Sequence, residues 1–355
     1  MRASLLPRFL LAAYVLLVAY ASLYPLAGWR DPAGSAFAFL AAPWPRYVTG
    51  FDLAANFFGY FPYGLLCALS LRPRLPAGAA FAASVASGAL LSLLLEAAQS
   101  YMPARIASNV DVLCNLCGTA AGALVAVRFA TQLQDAEPLQ RLRALAFAPG
   151  AASDLGLTLL GLWLFAQLNP ATLLFGTGDL RDLFASPGGE RHEAEIFVSV
   201  EAVTTAANLA AVVLLASAGL REGAPARGLV AAFIAVALVV KTLSFAILMQ
   251  AEHVFAWLTP GAQLGLAAGV LLALAALRLP RTPRLALSAS LLMAATVLVN
   301  LAPPNPYFAA TLKVWGQGHF LNFNGLTRLV SAVWPFMALA YLVFLASAPW
   351  RKPLQ

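Results

Sequence analysis

The sequence has very little charge for its length. Only 10% of its 355 residues are Asp, Glu, Lys or Arg, whereas 61% are hydrophobic; soluble globular proteins carry about 25% charged residues. A soluble fold could not cover so much apolar surface with polar side chains. This shortage excludes a soluble enzyme, a disordered chain and a nucleic-acid binder. It predicts an integral membrane protein that has membrane lipids as partners.

Cysteine and histidine are also scarce, with three of each. Cys67, Cys114 and Cys117 lie in apolar stretches, and the last two form a lone C-x-x-C motif with no second pair or histidine nearby. A disulfide scaffold or a structural zinc site needs more ligands than this. We therefore expect no metal and no cofactor.

Apolar runs of about 20 residues, the length that crosses a bilayer, recur along the whole chain. Their frequency predicts an all-α, polytopic transmembrane helix bundle of about ten spans. The runs lie at 8–27, 52–71, 77–98, 111–129, 154–169, 196–219, 228–250, 260–278, 284–301 and 327–348.

The positive charges indicate an orientation for these spans. With the N-terminus inside, 14 of the 22 Lys and Arg residues fall on the inner side. Because cytoplasmic loops are enriched in Lys and Arg, both termini are predicted to be cytoplasmic. The segments 30–50, 99–110, 170–195 and 302–326 are then predicted to face outward.

The polar stretch after the fourth span predicts a division of the chain. We expect a four-span membrane domain at 1–130, a cytoplasmic linker at 131–153 that could contain an amphipathic helix, and a six-span membrane region of unknown type at 154–355.

Polar residues gather where the second, third and fourth spans meet the outer interface. Asp52, Asn56 and Tyr60 follow at a spacing of four, which places them on one helix face. The carboxylates of Asp52, Glu96 and Asp111 would lie around the short loop 99–110. We expect Arg105, in this loop, to contact at least one of them. We call the whole set the polar cluster and predict that it binds a ligand. Its members are Asp52, Asn56, Tyr60, Glu96, Gln99, Arg105, Ser108, Asp111 and Asn115.

These residues, with several glycines and a proline, form three ordered blocks that resemble the VanZ-like family of membrane proteins over roughly residues 8–130. The additional matching positions are Pro62, Gly64, Gly118 and Gly122. The family name implies a link to the cell envelope and to glycopeptide (teicoplanin) resistance. From the residues themselves, the two later glycines should allow a neighbouring backbone to approach closely.

Two charged residues stand inside predicted spans of the rear part, namely Glu201 and Lys241. Charges within a membrane are costly and usually paired, so an intramembrane charge pair is one interpretation. The other is that Lys241 extends to the interface while Glu201 caps a shortened helix.

Three functions are consistent with these residues. The first is recognition of a lipid-linked or cell-surface molecule, such as an envelope precursor, at the polar cluster in a bacterial inner membrane. The second is a membrane-embedded hydrolase or transferase that acts on a lipid carrier, although no nucleophile and base stand together. The third is a transporter, which the charges Glu201 and Lys241 would favour.

Overall fold

The computed structural model describes residues 4–32, 34–129, 143–181, 193–221, 223–248, 254–303, 305 and 321–347. In this part of the chain lie ten α-helices of 16 or more residues, one for each predicted span, so the all-α bundle is confirmed. Eight are long and apolar enough to cross a membrane, and α5 and α8 are apolar but shorter. The helices are α1 (Leu6–Leu23), α2 (Gly50–Leu71), α3 (Ala77–Gln99), α4 (Asn109–Arg128), α5 (Ala151–Ala166), α6 (Ala194–Ala218), α7 (Ala226–Leu248), α8 (Pro260–Ala276), α9 (Arg281–Leu301) and α10 (Leu321–Ser347).

The chain divides into two compact units, Met1–Ala144 and Leu145–Gln355. Most of the linker predicted at 131–153 lies outside the described residues, as does most of the outward segment predicted at 302–326. Within the second unit, Phe147 and Leu220 form an isolated antiparallel bridge.

In the first unit, α2 and α4 pack with their backbones in direct contact. A Cβ atom at Gly118 would overlap the carbonyl oxygen of Phe57, and one at Gly122 would overlap that of Phe61. From the other side, a Cβ at Gly64 would overlap the backbone of α4. The predicted close approach at Gly118 and Gly122 is thus confirmed, and it brings the polar starts of α2 and α4 together.

Helix α1 contacts α2 close to a proline in that helix. Pro62 lies inside α2, where it has no N–H to donate to the preceding turn. In that turn, the hydroxyl of Tyr14 on α1 donates a hydrogen bond of 2.7 Å to the carbonyl of Gly59. A side chain of α1 therefore binds the backbone of α2 just before the proline.

In the second unit, α6 has the largest buried share of the eight long helices. Helix α8 lies against it through three glycines spaced by four. A Cβ at Gly261 would approach Glu201, one at Gly265 would approach Thr205, and one at Gly269 would approach the Ala206 backbone. This small-residue stripe lets α8 approach α6 closely, as in other membrane helix pairs.

Candidate functional site

Glu96 lies in the last turn of α3, with only 4% of its surface exposed. Its Oε2 atom accepts a hydrogen bond of 2.8 Å from the backbone N–H of Ser108. Ser108 is the N-cap of α4, and its hydroxyl oxygen accepts from the backbone N–H groups of Val110 and Asp111. The carboxyl group of Glu96 therefore sits at the N-terminus of α4, where the partial positive charge of the helix end favours an anion.

Asn115 lies behind Glu96, deeper in the same unit, and is 3% exposed. Its Nδ2 donates a hydrogen bond of 2.9 Å to the hydroxyl of Ser92, which is fully buried on α3. The Oδ1 atom is buried and has no partner in the part of the chain that the structure describes. An unsatisfied buried acceptor costs about 1–3 kcal/mol, so this atom needs an explanation.

Tyr60 closes this region from α2. It is 4% exposed, and its phenol interacts with Ser92 and Glu96. Four side chains from three helices thus surround one small polar region. We call it the Glu96 site, and it consists of Tyr60, Ser92, Glu96 and Asn115.

The remaining acids of the polar cluster lie nearer the helix starts. Asp52 is exposed and forms a capping box with Thr49 at the start of α2. Asp111 interacts electrostatically with Asp52 and with Glu96, so the three carboxylates do lie near one another. Asn56, one turn beyond Asp52, is half-buried, and its side chain forms no hydrogen bond within the described part of the chain. Asp52 and Asp111, at the starts of α2 and α4, therefore add negative charge near Glu96. Asp52 also caps α2.

Arg105 does not form the contact with an acid that the sequence predicted. It forms no ion pair with Asp52, Glu96 or Asp111 in the described residues. Its Nε donates to the carbonyl of Tyr24 and its Nη2 to that of Ala21, both at 3.0 Å. Arg105 is thus a cap for the C-terminal end of α1, where free carbonyls and the helix dipole attract a cation.

Gln99 supports the same helix end, because its Nε2 donates a hydrogen bond of 2.9 Å to the carbonyl of Ser22. Burial lowers the pKa of the Arg105 guanidinium from its ordinary value, and the negative charge of Glu96 acts in the opposite direction. Glu96 and Arg105 therefore interact electrostatically without direct contact. Both Arg105 and Gln99 have structural roles that the sequence pattern did not reveal.

The predicted pair of Glu201 and Lys241 is not a direct contact either. Lys241 is fully buried, and its Nζ donates to the carbonyls of Asn169 and Thr172, both at 2.8 Å, and to the hydroxyl of Thr172 at 3.2 Å. Its ammonium therefore binds the chain just after the end of α5. Glu201 and Lys241 still interact electrostatically, but Lys241 already has its hydrogen-bond partners.

No role was predicted for Gly261 from the sequence, although this glycine leaves room for the carboxyl group of Glu201. A Cβ at this position would lie 2.6 Å from Oε2 of Glu201. The spacing G-x-x-x-G-x-x-x-G at Gly261, Gly265 and Gly269 is the signal that could have indicated this close packing.

Comparison with known proteins supports the interpretation of the first unit. Residues 10–130 match the family model VanZ/LLP1, which confirms the resemblance seen in the motif blocks. The match ends at residue 130 and thus covers about a third of the chain. No curated protein and no solved structure matches the chain. The family match and the apolar helices together identify a multi-pass membrane protein with a VanZ-like first part.

Proposed function

We propose that the first unit binds the polar head of a lipid-linked or cell-surface molecule at the Glu96 site, in the cytoplasmic membrane of a bacterium. The observation that carries this proposal is the unpartnered Oδ1 of Asn115, which lies buried in a region shared with Glu96. Native proteins rarely leave such an atom unsatisfied unless a ligand, ion or water completes it.

The chemistry of the site favours a ligand that donates hydrogen bonds. Glu96 uses Oε2 for the Ser108 N–H, and its other oxygen has no hydrogen bond within the described residues. The free acceptors are thus this oxygen and Oδ1 of Asn115. Asp111 and Asp52 add negative charge nearby. A hydroxyl or ammonium group fits this set, whereas a phosphate would be repelled.

The position of the site suits an amphipathic ligand. Glu96 lies in the last turn of α3 and Ser108 is the N-cap of α4, so the site lies at a helix end. The Lys and Arg distribution predicts that this end is the outer one. A ligand with a lipid tail could keep the tail in the bilayer while its head enters the site. The envelope link implied by the VanZ family name favours a lipid-linked envelope precursor.

The hydrogen bonds of Ser108 favour a binding function over hydrolysis or group transfer. Its hydroxyl oxygen accepts two backbone N–H groups at the start of α4. Its own N–H is used by Glu96. A serine nucleophile needs a base that accepts its proton, and the carboxylate next to Ser108 binds the backbone of that residue instead.

The test compares the lipids that co-purify with the protein. Wild-type protein and the variant Glu96→Gln are expressed in the same bacterium, purified in mild detergent and analysed by mass spectrometry. Glu96→Gln keeps the size of the side chain and removes its charge. We expect a lipid with hydroxyl or amino groups in its head to be enriched on the wild type and depleted about tenfold on the variant, since hydrogen bonds to charged groups contribute about 1.5–3 kcal/mol.

A matched control is Glu195→Gln, the same substitution at an exposed acid of the second unit. This control should retain the lipid. Asn115→Leu is a second test variant, because it removes the unpartnered acceptor and keeps the branching and the number of non-hydrogen atoms of the side chain. If both site variants fold as the wild type does and carry the same lipids in the same amounts, the polar cluster is structural and the proposal fails.

A further inference from the structure

The second unit contains a cavity of about 70 Å³. It is bounded by the segment after α5, the first turns of α6, the last turn of α9 and one residue of α10. Because successive helices alternate in direction, all these parts lie at the same end of the unit. The cavity therefore lies toward one end of the helices of this unit, within reach of the head of a lipid.

Two buried polar side chains from different helices, Glu201 and Ser331, line the cavity. Glu201, 6% exposed, interacts with the hydroxyl of Thr259, and its carboxylate has further lone pairs that can accept from another donor. Ser331 comes from a different helix and is 2% exposed, and its Oγ is buried without a partner. A carboxylate and a hydroxyl can each accept a hydrogen bond, and both side chains line the same cavity.

Among the described residues, the two cations near Glu201, Lys241 and Arg181, already have partners. Lys241 donates to the carbonyls of Asn169 and Thr172, and of these residues Thr172 lines the cavity whereas Lys241 does not. Arg181 also lines the cavity, but it binds Asp179 through Nε at 3.0 Å and Nη2 at 2.6 Å. The carboxylate of Glu201 thus has room for a positively charged donor that the described chain does not itself supply.

We propose that this cavity binds a primary ammonium group, with Glu201 and Ser331 as its hydrogen-bond acceptors. A primary ammonium carries three N–H donors and a full positive charge, which match a buried carboxylate and a free hydroxyl. The apolar wall, formed by Phe197, Val200 and Val299, suits the one or two methylene groups next to the nitrogen. The volume admits an aminoethyl group and excludes a whole lipid. This site is independent of the Glu96 site, which belongs to the first unit.

The source of the ammonium is either the head of an aminophospholipid or a free amine, and one experiment separates the two. The purified full chain is placed in phosphatidylcholine nanodiscs, whose quaternary ammonium cannot donate a hydrogen bond. Phosphatidylethanolamine is added in one arm and soluble ethanolamine in the other. Bound lipid is counted by native mass spectrometry, and ethanolamine binding is followed by the rise in melting temperature.

We expect Glu201→Gln to weaken binding by about tenfold or more, since it removes the charge of the acceptor. Ser331→Ala should weaken it several-fold while leaving folding unaffected, because the hydroxyl that it removes has no partner among the described residues. Glu195→Gln, on the same helix but exposed, should bind as the wild type does. Binding in the lipid arm alone assigns the site to a headgroup, and binding in both arms assigns it to the amine itself.

The proposal is overturned if the wild type binds neither probe. It is also overturned if Glu201→Gln and Ser331→Ala both bind phosphatidylethanolamine with wild-type affinity. If Glu201→Gln does not fold, the Ser331→Ala variant decides. None of these results depends on the lipids retained at the Glu96 site, so the two proposals succeed or fail separately.

Discussion

The packing of α2 on α4 leads to a sharp prediction about Gly118. The backbone carbonyl of Phe57 occupies the space that a Cβ atom at position 118 would need. A backbone carbonyl cannot rotate away as a side chain can, so Gly118→Ala must separate the two helices. Overpacking of this kind costs about 1–3 kcal/mol in the free energy of unfolding. Gly122→Ala meets the carbonyl of Phe61 in the same way and should behave alike.

Gly59→Ala is the matched control for this prediction. Gly59 is also a helical glycine of the first unit, but a Cβ there would have no neighbour within 4 Å. Alanine is favoured over glycine in a helix by up to about 1 kcal/mol, so this variant should be as stable as the wild type or slightly more stable. The difference between the two variants therefore isolates the clash from helix propensity.

The assay is a titration of purified protein in detergent micelles with sodium dodecyl sulfate, followed by circular dichroism. We expect the midpoint of Gly118→Ala to fall clearly below that of Gly59→Ala. Lipid co-purification should fall with it, because the same contact positions Tyr60 against Glu96. Equal midpoints for Gly118→Ala and Gly59→Ala would refute direct backbone packing of α2 on α4.

Three further predictions concern single residues. Arg105→Ala should destabilise the protein by about 2 kcal/mol, because it leaves two carbonyls at the end of α1 without donors; a melting temperature equal to that of the wild type would contradict the capping role. Lys241→Met should lower the free energy of unfolding by at least about 2 kcal/mol in the detergent titration, since it leaves the buried carbonyl of Asn169 and the part-buried carbonyl of Thr172 without their donor. If both termini are cytoplasmic, a cysteine introduced at Ala136 should not react with an impermeant thiol reagent in intact cells. Efficient labelling of this cysteine would contradict the predicted orientation.

Much of the architecture followed from the sequence alone. The length of each apolar run predicted ten helices, because a bilayer demands about 20 apolar residues per span. Because successive spans alternate in direction, Asp52, Glu96 and Asp111 were predicted to lie at one end of the first unit. The spacing of Gly118 and Gly122 predicted a close helix contact, since two small residues four apart leave a groove on one helix face.

The partners of the charged side chains were decided only by the tertiary structure. Arg105 was expected beside an acid, but it binds carbonyls at Ala21 and Tyr24, more than 80 positions earlier in the chain. Lys241 likewise binds backbone oxygens of residues 169 and 172 rather than Glu201.

The physical reason is that helix periodicity tells which face of its own helix a side chain occupies. It says nothing about which backbone groups a neighbouring helix leaves without hydrogen bonds at its end. Every helix end has such carbonyls, and a sequence carries no mark of where they lie in space. The sequence grouped Tyr60, Glu96 and Asn115, but only the structure adds Ser92 to them. In the second unit, only the structure brings Glu201 and Ser331 to one cavity.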